Sequence, residues 1–176
     1  MPRVPYLSAD LSEPAELVAA IRARRGGSLL NLDRMLLHSP RFAQGWNGFL
    51  REVRSGLSLD PKLRELAMCV VAVLNGAEYE FVHHAPEFIA AGGTQAQVAA
   101  MRKPGLAMED TVLFDPVERA ALALTVEMTR EVRVGDATFA AVRASLGEQQ
   151  TVELVGVIAA YNMVSRFLVA LGVDPE

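Results

Sequence analysis

The chain has 176 residues, 51 % of them apolar, with one cysteine and a formal net charge of −4. That length fits a single domain, here taken as 1–176, with a full core, and the composition excludes disorder. The acidic balance argues against a nucleic-acid partner, which needs a clustered basic face, and the lone Cys69 excludes an internal disulfide or a C-x-x-C redox pair.

From the N-terminus, MPRVPYLSADLSEPAEL has no charged segment followed by an apolar run, so no secretory signal is read and a cytoplasmic location is expected. AELVAAIRARR carries apolar residues at helical spacing and stops before Gly26-Gly27; LLNLDRMLLH follows and ends at Ser39-Pro40. RFAQGWNGFLREVRSG places Phe42, Trp46, Phe49 and Val53 on one stripe. Asp60-Pro61 joins a capping side chain to a proline at the first helical position, and the helix it starts runs to Asn75-Gly76. Its apolar stretch, LAMCVVAVLNGA, is about 12 residues where a membrane span needs roughly 20, so no membrane partner is expected. A helix from the next segment ends at Gly92-Gly93, and Thr94 with Gln97 forms a capping box for TQAQVAAMR. Residues 104–112 read as a loop. Asp115-Pro116 with Glu118 starts PVERAALALTVEMTREV, ended by Gly135, and ATFAAVRASLG and QTVELVGVIAAYNMVSRFLVALG complete an all-α chain. The helices over 61–75 and 151–171 are apolar around much of their circumference and need cover on several sides. Part of that cover is expected from another subunit.

NGAEYEFVHHAPEFIAAGGT concentrates chemistry in one amphipathic helix. The short Asn75-Gly76 connection implies an antiparallel hairpin. At a rise of 1.5 Å per residue, Glu65 and His84 lie at nearly equal heights, about 15 and 12 Å from the turn. Glu80 shares the face of His84 at the i, i+4 spacing, whereas His83 is rotated by about 100° and pairs with Tyr79. Val82, Phe88 and Ile89 supply apolar walls. Two carboxylates beside one imidazole in a partly dry setting push pKa values apart, which suits proton transfer at neutral pH. The plainer alternative makes Glu80–His84 a surface pair and Glu65 a solvated residue next to Arg64. Glu80 and His84 also offer two metal ligands, but there is no H-E-x-x-H and no third ligand, so neither metal nor cofactor is expected.

The stretch LRELAMCVVAVLNGAEYEFVHHAPEFIAAGGT resembles the core motif of the carboxymuconolactone decarboxylase and alkylhydroperoxidase D superfamily, and the likeness extends over residues 30–171. In the peroxidase branch the motif is a glutamate, a Cys-x-x-Cys pair and a histidine four residues further on. Laid on this chain, the glutamate falls on Glu65, the histidine on His84, and the two cysteine positions on Ala77 and Glu80. Thiol peroxidase chemistry needs a low-pKa thiolate and a resolving thiol, so it is not carried over. The decarboxylase branch also lacks the thiols and has a carboxylate four residues before its histidine, where Glu80 stands. The resemblance thus implies an alkylhydroperoxidase D-like helical bundle, with a central antiparallel hairpin carrying the site. It further implies a homotrimer or homohexamer with the site near a subunit boundary.

The function expected is thiol-independent acid–base chemistry, decarboxylation or proton transfer beside a carbonyl, on a small carboxylic or lactone substrate. Glu65, Glu80 and His84 are the catalytic candidates and Tyr79 a substrate-binding one; Arg64 and Arg166 are carboxylate clamps by residue type only. Two alternatives stay open. One is a peroxidase working through Cys69 alone, which requires an exposed thiol of depressed pKa. The other is a catalytically silent oligomeric scaffold.

Overall fold

Side-chain caps fix where several helices begin. In the computed structural model, which describes residues 1–176, the Asp60 carboxylate accepts from the backbone N–H groups of Lys62 and Leu63 and opens α4 (Pro61–Leu74). Reciprocal capping boxes, Thr94 with Gln97 and Asp115 with Glu118, open α6 (Gln95–Met101) and α8 (Pro116–Arg130). Between them stand α5 (Glu78–Ala90), which follows the Asn75-Gly76 turn, and the one-turn helix α7 (Pro104–Ala107). The remaining helices are α1 (Ala15–Arg24), α2 (Asn31–Leu36), α3 (Pro40–Ser55) and α9 (Asp136–Leu171). There is no strand.

Contacts divide the chain into two compact units, residues 57–167 and residues 1–56 with 168–176. In the first, α4 and α5 form the expected antiparallel hairpin around Gly76, whose φ of 66° is one that glycine adopts without a Cβ clash. Leu66, Ala67, Met68, Cys69, Val70 and Val71 are all fully buried. These positions of α4 are covered within this chain, whereas Val73 and Leu74 at its C-terminal end are half-buried. α9 crosses the hairpin: Tyr161 meets His84, and Asn162 joins Asn75 of the α4 turn to Thr129 of α8. α9 is broken at Gly147 (φ 72°), the boundary read from the sequence. By length and composition it could cross a membrane, but half of its most apolar window is buried in the chain, as in a core helix.

Three local expectations are corrected. The buried stripe of α3 is Ala43, Trp46, Leu50 and Val53; Phe42 and Phe49 flank it and are about half exposed. Helical spacing of three or four allowed either set. Residues 104–107 are helical, because Pro104 supplies a preset φ at the first helical position. α8 ends at Arg130, before Gly135; there the Glu127 carboxylate binds the Gly135 N–H and the Thr138 hydroxyl, and the chain turns through Val132 at φ 66°.

After α5 the chain turns at Gly92 and packs Gly93 directly on Phe88. A Cβ added at Gly93 would lie 2.1 Å from the Phe88 ring, and Phe88 itself is fully buried.

Candidate active site

The hairpin brings Glu65, Glu80 and His84 together. A Glu65 carboxylate oxygen, Oε2, lies 2.7 Å from His84 Nδ1, and its other oxygen accepts from Arg64 Nε at 3.1 Å. On the far edge of the imidazole, Nε2 is 3.4 Å from Glu80 Oε2. That approach has the distance of an ion pair but not the alignment of a hydrogen bond, and Glu80 Oε2 is buried without a hydrogen-bond partner. Glu65 is 5 % exposed, Glu80 2 % and His84 9 %. The cluster is thus interior to the single chain, and the plainer reading of a solvated surface pair fails.

Electrostatics follow from this packing. Burial pulls the His84 pKa down, but the hydrogen bond that its Nδ1–H donates to Glu65 and the nearby Glu80 carboxylate outweigh it and raise the value to about 9. For Glu65, burial acts to raise the pKa, and the bonds to His84 and Arg64 reverse it to a net lowering. At neutral pH the site therefore holds an imidazolium, protonated at both nitrogens, against an ionised Glu65. Each ring nitrogen faces a carboxylate, so the arrangement presents a proton donor.

His83 takes no part in this cluster. Its Nδ1 bonds the Tyr79 carbonyl oxygen at 2.7 Å, and its ring stacks on that of Tyr79 at 4.3 Å between centroids. Tyr79 is buried against His83. The ring that meets His84 is Tyr161, edge-on at 4.9 Å and 86°, a residue that sequence spacing could not find because its partner lies on a distant helix. Of the expected walls, Phe88 is buried, whereas Val82 is half exposed. Arg64 is tied to Glu65. Arg166 bonds Asn162 in the polar network at the hairpin turn. Cys69 is fully buried, and burial, with Glu65 and Glu80 close by, pushes its thiol pKa up. Neither condition for a reactive thiolate is met.

A helical hairpin holding a glutamate–histidine pair, with no thiol at the expected positions, defines a thiol-less bundle of the alkylhydroperoxidase D-like class. Residues 40–127, half of the chain, match the sequence profile of the carboxymuconolactone decarboxylase family, and the chain belongs to that family. No curated protein sequence matches it significantly. Among solved structures it is similar to the debrominase Bmp8, in a cysteine-to-alanine form complexed with 2,3,4-tribromopyrrole, with 17 % identity, a TM-score of 0.82, and coverage of 100 % of this chain and 94 % of that one. It is also similar to an uncharacterised peroxidase-related protein from Silicibacter sp. TM1040 (16 % identity, TM-score 0.81, 99 % and 90 % covered). A third is an uncharacterised peroxidase-related protein with an alkylhydroperoxidase AhpD core, from Ralstonia eutropha JMP134 (15 %, 0.79, 99 % and 92 %). At these identities the likeness establishes the fold.

Proposed function

We propose that this chain is a thiol-independent acid–base enzyme that moves a proton beside a carbonyl, with a double-bond shift or loss of CO2, on a small carboxylic or lactone substrate. The observation that carries this reading is the buried His84 imidazole, clamped by Glu65 at 2.7 Å and approached by Glu80 at 3.4 Å. Glu65 is the fixed end: its bonds to His84 and Arg64 hold the imidazole in one orientation. Glu80 is the loose end, with an oxygen that makes no hydrogen bond. A substrate carbonyl oxygen replacing Glu80 at Nε2 receives the His84 proton as negative charge develops on it. Glu80 is then positioned to take the proton from the adjacent carbon, and returning it at a different carbon shifts the double bond. For a substrate with a carboxylate beta to the carbonyl, the C–C bond electrons flow to the protonated oxygen and CO2 leaves. Subunits assembling as a trimer or hexamer belong to the same proposal.

The test is a screen of lactones and small keto and dicarboxylic acids for turnover, with His84→Gln as the control. Turnover by the parent that vanishes in His84→Gln supports the reading; turnover retained in the variant sinks it. The near-complete burial of all three groups favours one second reading, a silent scaffold in which the cluster only stabilises the hairpin. No turnover across the screen, together with a large stability loss in His84→Gln, is its signature.

A further inference from the structure

The unit formed by residues 1–56 and 168–176 holds a cavity of about 790 Å3, bounded wholly by residues 14–55 of α1, α3 and their flanks. Its size is that of a small-molecule site, roughly 300–1,000 Å3. Leu17, Ala20 and Ile21 of α1 form an apolar side; Arg24, Arg41 and Arg51 supply three guanidinium groups, against a single lining carboxylate, Glu16. Intramolecular partners leave this positive charge only partly compensated. Arg24 and Arg25 share one buried carboxylate, that of Asp33, and Arg24 otherwise bonds the neutral Asn47 side chain at 2.6 Å. Burial, then the neighbouring Arg25, with a smaller push from Arg54, lowers the Arg24 pKa despite Asp33. Arg41 makes no hydrogen bond or ion pair, and Arg51 meets only the exposed Glu52 beside it.

Gly48 bears on the room at the cavity wall, although Gly45 on the same helix is equally clear of neighbours. Gly48 sits in the middle of α3 and lines the cavity, and a Cβ built on it meets nothing within 4 Å. Glycine inside a helix is unfavourable relative to alanine, and no neighbour here requires it.

We propose that this cavity is a binding site for a small organic carboxylate with a flat apolar body, distinct from the His84 cluster. The guanidinium fork matches a carboxylate in two parallel hydrogen bonds, and its plane stacks on flat rings. The α1 side chains receive the apolar part, and the space over Gly48 admits it.

The probe is 2-naphthoate, titrated into the full chain by calorimetry, beside neutral 2-naphthamide and inorganic phosphate. Saturable binding of 2-naphthoate is expected, at least tenfold tighter than either comparison compound and weakened as salt rises. Arg41→Glu, a change at an exposed residue without a partner, should weaken it at least tenfold. Gly48→Leu should abolish it while raising the melting temperature, because a better helix former replaces glycine and fills open space. Absence of saturation, equal affinity for the amide or for phosphate, or full binding by Gly48→Leu overturns the proposal. So does a change of mass by light scattering in Gly48→Leu, which would make the cavity a seat for another copy of the chain.

Discussion

The molecule handles crowded charge in two ways. Around His84, the imidazole and the Glu65 carboxylate are brought to hydrogen-bond distance and closed off from water, so the protonation of His84 and Glu65 is set by their neighbours. Around Arg24, Arg41 and Arg51, like charges collect with fewer counterions and stay beside open space. The closed cluster is complete as it stands, with only Glu80 loosely held; the open one is incomplete until an anion arrives. Proton chemistry calls for the first arrangement, and ligand capture for the second.

The largest expected effect tests the closed cluster. His84→Ala should lower turnover of any substrate found by about 10²–10⁴-fold, whereas His83→Ala, whose ring stacks on Tyr79 instead, should stay within a fewfold of the parent. Equal losses in steady-state assays would erase the distinction between the two histidines. Next, Glu65→Gln leaves an imidazolium buried beside a weaker acceptor. Unfolding by urea should show a loss of about 3 kcal/mol, the scale seen when one partner of a buried pair is removed. A loss below about 1 kcal/mol would mean that the pair behaves as if solvated.

The pH dependence sharpens the same point. The folded pKa of His84, about 9, lies above its ordinary value of 6.5. The stabilisation from this group is therefore fully present below about pH 6.5 and is lost as pH rises towards about 9. Glu65 acts in the opposite sense: its folded pKa is lowered, so its contribution is present above the ordinary carboxylate range and lost as pH falls through the folded value. Thermal melts should show stability declining across pH 6.5–9, and His84→Gln should flatten that decline. An unchanged slope in the variant would assign the titration elsewhere. The proton-donor role should fade over the same upper range, seen as a fall in kcat/KM of the parent near pH 9. The smallest effect belongs to Cys69→Ser, which should leave turnover unchanged. A drop greater than about tenfold, or 1.4 kcal/mol of barrier, would bring thiol chemistry back.

The site's backbone is legible in the sequence because it is local. Asp60, Thr94 and Asp115 announce their helices through side chains within three residues of the N–H groups they cap, and a short turn fixes the register of Glu65 against His84. What escapes depends on parts of the chain distant in sequence. Tyr161 reaches His84 only because α9 crosses the hairpin. The full burial of Leu66, Ala67, Met68, Cys69, Val70 and Val71 inside one chain follows from how several helices meet, which no single helix's periodicity contains. Phe42 and Phe49 are misplaced for a milder reason: two stripes one residue apart share Trp46 and Val53, and local pattern cannot choose between them. The arginines of the cavity carry no signal in the sequence, since their crowding arises from the approach of α1 to α3.

Gly93 bears on how losses of function in this chain should be interpreted. A residue there with any side chain collides with the Phe88 ring, one turn beyond His84 on the same helix. In a saturation-mutagenesis survey read only by activity, position 93 would score as severely as His84. It would invite a catalytic role for a residue that has no functional group at all. Soluble yield measured alongside activity separates the two: substitutions at 93 should deplete the folded protein, and a smaller ring at 88 introduced with Gly93→Ala should restore part of it.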